Sequence, residues 1–300
     1  MTGGPTFGRH PDAIDSVASA ATAGAARSGA PRARRGPTSG KILSWVVFIA
    51  AMLYFFLPLI ATLEFSIRMR PTGAAYLNTF KDARFFGSLA YSFVIGLITI
   101  VVSTLIIVPT AYWVRLRLPR LRPIVEFVTL MPFVVPPIIL VFGLIRSFGS
   151  GILPLANSQR GSDILLIAAY TILSFPYMYR AVDSGLRSID VRSLTEAGHS
   201  LGSGTFRILW FVIFPNVRVA VLSGAFLTLA IVIGEFTIAA YLNRPAFGPY
   251  LSNIGQNKTF EPAAVSIISF LLTWLAMGVI AFLGRTRQGR STGVQVGGGH

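Results

Sequence analysis

Six apolar stretches dominate the sequence, near residues 42–66, 87–112, 124–146, 163–182, 217–240 and 263–284. A helix needs about 20 largely apolar residues to cross a bilayer. Nothing else constrains the fold as much, because segments this long and this apolar are at home in lipid rather than water. The second lies in an uncharged segment from Phe85 to Val114. The fourth, between Asp163 and Arg180, is the weakest. The chain is 12% charged, about half the proportion of a soluble domain. Its mean hydropathy is +0.66. The expected fold is an all-α membrane protein with six transmembrane helices. The expected domains are a disordered basic tail over 1–40, a membrane domain over 41–286 and a second tail over 287–300.

The net charge of +15 does not imply nucleic acid. The basic residues fall between apolar runs, as membrane flanks do. Six spans put both termini on one side. Eighteen of the 26 Lys and Arg residues lie on that side, in the two tails and the segments 113–123 and 180–218. The positive-inside rule then makes both termini cytoplasmic in a plasma membrane.

Several chemistries are excluded. There is no cysteine, so thiolate metal sites, Cys nucleophiles and disulfides are out. His10, His199 and His300 are scattered. The segment Gly36–Lys41 (GPTSGK) has three residues between its glycines and Ile42 after its Lys. A phosphate loop needs four, and then Ser or Thr. Arg34-Arg35 resembles a twin-arginine signal, but the apolar run after it is too long and no small-residue cleavage site ends it.

Prolines 132, 136 and 137 interrupt the third span, Pro176 the fourth and Pro58 the first. Each removes a donor and frees a carbonyl one turn earlier. Lipid cannot satisfy such carbonyls, so they face neighbouring helices or a wet cavity.

The connection from about 183 to 215 is too polar to span and too patterned for a plain linker. Ser193-Leu194-Thr195-Glu196 reads as a capping box that starts a helix near Leu194. Ala197 and Gly198 are small and permit close approach by another protein surface. Gly202 suits a left-handed helix end. Ser203 then caps a second helix carrying Phe206, Ile208, Leu209, Trp210 and Phe211, and Pro215 marks the approach to the fifth span. The pattern alone leaves two readings open, a docking knob for a partner or an amphipathic helix lying on lipid.

Glu196-Ala197-Gly198, Gly202, Val212, Phe214 and Pro215 resemble the "EAA" loop of type I ABC importer permeases. That pattern reads E-A-A, three residues, G, nine residues, I, one residue, L-P. The Glu, first Ala, Gly and Pro match at the same spacing, while Gly198, Val212 and Phe214 depart within small or apolar character. The resemblance covers about 42–285, through six spans and the position of the loop. It implies that this loop is a coupling helix seated in a groove of a cytoplasmic ATPase subunit, with Ser193, Glu196, Ala197, Gly198, Gly202 and Pro215 in the coupling element. It implies further that ATP and Mg are held by that ATPase and no cofactor by this chain. A second permease chain, related rather than identical, and an extracytoplasmic substrate-binding protein complete the assembly. The chain is then a transport subunit and not an enzyme.

Ionisable residues within a span are expensive and therefore candidates for function. Glu235 follows Gly234 in the fifth span and is the foremost candidate for the substrate path, its bland alternative being a carboxylate paired with Arg244 or Arg146. Tyr241 and Asn243 are further candidates, and Asn253 reads as a loop anchor. Glu64 and Asp163 sit at span ends and are expected to be solvated. Gly234 to Leu242 (GEFTIAAYL) resembles the spermidine/putrescine, ferric iron and phosphonate-type permeases. A carboxylate could offset the ammonium charge of a polyamine, which favours that substrate. A channel or secondary transporter would explain the prolines and Glu235 but not the loop, and a membrane enzyme would need clustered reactive side chains.

Overall fold

The computed structural model describes residue 3, residues 39–150 and residues 154–285. The expected tails 1–40 and 287–300 fall outside these, apart from Gly3 and the residues 39–40 that open the first helix. All regular structure among the described residues is helical. The chain divides into two compact units between Pro58 and Leu59. The first helix, α1 Ser39–Ile67, spans that boundary. Before it, Trp45, Leu53, Tyr54 and Phe55 are exposed apolar side chains of the kind that lipid solvates.

The second unit continues with α2 Ala74–Lys81 and α3 Ala83–Leu116. Asp82 caps α3 by accepting from the Arg84 N–H at 3.0 Å. Next come α4 Arg122–Val134 and α5 Pro137–Phe148, bent by 96° at their junction. The bend has a local cause. Pro136 and Pro137 withhold two consecutive donors, and Val135 is driven to an extended conformation before them. The continuous third span expected at 124–146 is thus a broken one. Pro58, Pro109 and Pro176 lie inside unbroken helices.

The long helix α6 Gln159–Arg187 is capped by Ser158, whose Oγ accepts from the Gly161 N–H at 3.0 Å. Two short helices follow, α7 Val191–Ser200 and α8 Thr205–Ile208. A π-helical turn at Leu209–Ile213 leads into α9 Phe214–Gly234. The fifth span, expected to run unbroken to 240, ends instead at Gly234, and a separate short helix, α10 Thr237–Tyr241, follows. The chain closes with α11 Phe247–Asn257 and α12 Glu261–Arg285.

Every expected span has a helical counterpart. Among the described residues four helices are long and apolar enough to cross a membrane, and the bent pair α4–α5 would make a fifth. In α12 the described side chains of Glu261–Leu275 are largely apolar, and the sequence stays apolar to Gly284. Helices α3, α6 and α9 pack on one another at the centre. Their buried faces form one cluster around Tyr112, Val182, Leu186, Ile213 and Val217, and another around Ile95, Leu166, Tyr170 and Val232. The first cluster carries the 183–215 connection, and the second lies beside the breaks.

Candidate functional site

The 183–215 connection is a helical hairpin bolted to the ends of α3, α6 and α9. Asp190, not Ser193, caps α7. Its Oδ1 accepts from the Ser193 N–H at 3.1 Å and its Oδ2 from the Ser193 hydroxyl at 2.6 Å. The helix therefore starts at Val191, three residues before the expected Leu194, and the Ser193 N–H that a capping box would offer to Glu196 is already taken. Glu196 accepts instead from Arg192 Nε at 2.8 Å, and both side chains are well exposed. An exposed pair of this kind contributes little to stability. Glu196 is thus left outside the capping scheme.

The Ser193 hydroxyl and N–H hold the Asp190 carboxyl below the ordinary aspartate range. A carboxyl depressed on folding lends stability above the ordinary aspartate value and loses it as pH falls through the lower folded value. Protection of the first amides of α7, taken relative to the intrinsic exchange rate at each pH, should therefore fall on acidification below the ordinary aspartate range. Asp190→Asn should remove that pH dependence. Wild-type protection factors unchanged through this window would contradict the cap.

The inner face of α7 is pinned. Thr195 is buried, donates to the Val191 carbonyl at 2.7 Å and shares a hydrogen bond with the Tyr112 hydroxyl of α3 at 3.1 Å. Gly198 faces Ile208, where an added Cβ would lie 2.8 Å from Ile208 Cγ1. The small residue at 198 thus serves close packing within the hairpin, whereas Ala197 is exposed.

Gly202 has φ of 76°. Around it the Gly202 N–H donates to the His199 carbonyl at 2.9 Å and the Ser203 N–H to the Gly198 carbonyl at 3.0 Å. This bond pair defines the Schellman end of a helix, as the sequence suggested. Ser203 belongs to this motif and does not cap α8; Gly204 holds that position without a side-chain bond. Pro215 lies in the first turn of α9, just after the π turn. In this turn the Trp210 Nε1 is buried without an acceptor. The ring of Trp210 sits between Phe206 and Phe214, at 6.2 and 5.1 Å.

The anchored hairpin presents bare apolar side chains. Leu201 is 85% exposed and Phe206 76%. Beside it, an ion-pair network ties α3, α4 and α6. Asp183 accepts from Arg187 at 2.5 Å and from Arg122 at 3.3 Å, with Arg115 at 3.9 Å, and Glu126 accepts from Arg122 at 2.8 Å. A cavity of about 420 Å³ lies against this network, lined in part by Glu126, Tyr179, Arg180 and Asp183. The sequence reading missed this network. Its signal was Asp183 and Arg187 spaced four apart at the end of a span.

A second cavity, of about 340 Å³, lies where the two broken helices meet. Pro132, Phe133, Pro137, Tyr177, Ile231 and Glu235 are among its lining residues. The prolines expected to border a cavity include Pro132 and Pro137, which do so. Glu235 is not within a helix. It sits at the break, where its carboxylate caps α10, accepting from the Ile238 N–H at 3.0 Å, the Ala239 N–H at 3.4 Å and the Tyr170 hydroxyl at 3.1 Å. Its partners are therefore not Arg244 or Arg146.

Arg244 goes to Asp163, at 2.7 Å, so Asp163 is paired rather than merely solvated. Glu64 is exposed and pairs with Arg68 at 2.7 Å. Tyr241 is exposed, with its ring 4.9 Å from that of Phe142. Asn243 has φ of 53° and donates its N–H to the Ala240 carbonyl at 3.0 Å, ending α10. The structure thus brings Glu235, Tyr241 and Asn243 to one short segment, and of the three Glu235 lines the cavity. Asn253 lies exposed on α11, its carbonyl accepting from Asn257 at 2.7 Å.

Comparison with known proteins supplies a family. Residues 107–290, more than half of the chain, match the model of the binding-protein-dependent transport system inner membrane component. The molybdenum transport system permease protein ModB of Escherichia coli K12 is 28% identical over 160 residues, covering 49% of this chain and 64% of that protein. The spermidine/putrescine transport system permease protein PotB of Haemophilus influenzae is 27% identical over 156 residues, 48% of this chain and 54% of that protein. The match thus spans less than two thirds of the length of either relative. Among solved structures, a bacterial ABC transporter involved in the import of the acidic polysaccharide alginate aligns with a TM-score of 0.64 at 12% identity. It covers 82% of this chain and 96% of that chain, and shares the fold.

Proposed function

Because the chain belongs to the family of binding-protein-dependent transport system inner membrane components, we propose that it is the membrane-spanning permease subunit of an ATP-driven ABC importer of a small solute. The observation that carries this reading is the hairpin at 191–208. It is fixed from within by Thr195, Gly198 and Ile208 and bare without at Leu201 and Phe206. A rigid knob with desolvable apolar tips suits docking on another protein. In this reading Ser193, Glu196, Ala197, Gly198, Gly202 and Pro215 form the coupling element. Its partner is an ATPase subunit that holds ATP and Mg, and the chain itself makes or breaks no bond. A second, related permease chain and an extracytoplasmic binding protein complete the importer. The Lys and Arg distribution orients both termini and the hairpin toward the cytoplasm.

Membrane vesicles holding the whole assembly should accumulate solute only with ATP and the binding protein. Uptake that persists without nucleotide would favour an ATP-independent channel or secondary transporter.

For the solute, the finer reading is a polyamine-like cation. Its support is the carboxylate of Glu235 at the rim of the cavity between the breaks. The relatives are named for molybdenum as well as for spermidine and putrescine, so an oxyanion is the competing substrate. Glu235→Gln keeps an amide oxygen for the α10 cap and removes the charge. On the polyamine reading it lowers spermidine uptake on the order of tenfold, the equivalent of about 1.4 kcal/mol, and leaves binding-protein affinity unchanged. Undiminished spermidine uptake would return Glu235 to its capping role alone.

A further inference from the structure

The short helix α10 is clamped at both ends by one face of α6. At its start Glu235 caps it and takes the Tyr170 hydroxyl at 3.1 Å. Just past its end Arg244, 10% exposed, meets Asp163 at 2.7 Å. Tyr91 of α3 closes this second clamp. Its hydroxyl donates to Asp163 at 2.5 Å and accepts from Arg244 Nε at 3.1 Å, and its ring lies under the guanidinium at 5.6 Å. Asp163 and Tyr170 stand two helical turns apart, which places them on the same side of α6. Removing an arginine this far from water is unfavourable unless it is paired and hydrogen-bonded. Here both conditions hold, so the clamp is a tightly specified contact.

Its position gives it a role. α6 runs unbroken over 29 residues, about 43 Å at 1.5 Å per residue. Its far end leads within a few residues into the docking hairpin, which is packed on it through Leu186, Val191 and Ile208. Its near end holds α10, and α10 begins at the rim of the cavity between the breaks. A helix without an internal break transmits a tilt as a rod. The links at its two ends decide what moves with it.

We propose that Asp163 and Arg244 are positioning residues for transport, making α10 move with α6 so that displacement at the docking hairpin reaches the rim of the cavity. This rests on the importer reading. Neither residue contacts the solute in this scheme. Without the ion pair, α10 keeps only its Tyr170–Glu235 link and its apolar packing to α6, so it follows α6 less closely and is held back through Tyr241 against Phe142 of α5.

The test uses the full complex and needs no knowledge of the solute. The chain has no cysteine, so Ala240→Cys puts a single, half-buried thiol on α10. Its labelling rate by N-ethylmaleimide is measured with and without ATP and vanadate, alongside ATP hydrolysis. Trapping should change the rate on the order of tenfold, and Asp163→Asn or Arg244→Gln should weaken that response severalfold while hydrolysis persists. Asp163→Glu should retain part of it. A purely structural ion pair would instead lower the yield of assembled complex and leave the response of the surviving complex intact. If Asp163→Asn does not assemble, Tyr91→Phe removes only the bridging hydroxyl, and a partial loss of response is expected. An equal response in the variants, or none in the Ala240→Cys parent despite ATP hydrolysis, overturns the proposal. A complex without any ATP-hydrolysing subunit overturns the importer reading, and is seen before any thiol is labelled.

Discussion

Leu201→Asp combined with Phe206→Asp should release the ATPase subunit while leaving the chain folded in the membrane. Both side chains are more than three quarters exposed, and the ring contact of Phe206 with Trp210 stays within its own segment. What fixes the hairpin lies on its other face, at Thr195, Gly198 and Ile208. Burying one large apolar side chain contributes about 1.5–3 kcal/mol. A carboxylate in the same socket adds a desolvation cost without a partner. Two such losses at the centre of an interface should lower affinity by roughly a hundredfold or more. The measurement is the amount of ATPase subunit retained on the tagged chain, with the thermal midpoint of the chain as control. Full retention would mean that the exposed tips face lipid, as the amphipathic-helix alternative requires.

Gly202→Val should uncouple ATP hydrolysis from uptake more severely than Gly202→Asn. A Cβ at Gly202 meets nothing within 4 Å, so space is not the issue. The backbone is, with φ at 76°. Asn adopts this region at modest cost, whereas a β-branched side chain is an outlier there. The strain is about 1–3 kcal/mol, comparable with the two hydrogen bonds of the Schellman end. The valine variant relieves it by opening the turn between α7 and α8, which shifts Leu201 against Phe206. Solute moved per ATP hydrolysed should then fall on the order of tenfold, with the chain still inserted. Equal coupling in the two variants would show that the left-handed turn does not set the knob.

The spans and the loop were legible because their signals are local. Long apolar runs declare helices in lipid, and Gly202 declares a left-handed end wherever the helix before it begins. What was not legible was set by competition or by distance. Asp190 and Ser193 both suit a cap, and the earlier residue wins because its carboxylate can take two donors from Ser193. Gly198 reads as a small exposed residue until Ile208, ten positions on, packs against it. Glu235 reads as a charge inside a span because the helix break at Glu235 and Phe236 has no proline to announce it. The same holds for Arg244, whose partners Asp163 and Tyr91 come from two other helices. The π turn at Leu209–Ile213 has no sequence mark at all beyond Pro215 after it.

The central claim is that the 183–215 connection docks on an ATP-hydrolysing subunit. A photoreactive residue at position 201, in the full-length chain in native membranes, tests it most directly, followed by mass spectrometry of the adduct. A crosslink to an ATPase subunit is expected, enhanced when ATP is trapped, and none from the same probe at the exposed position 256, which the Lys and Arg distribution puts on the opposite side of the membrane. Adducts to lipid alone from position 201, with no ATPase subunit retained on the purified chain, would contradict it.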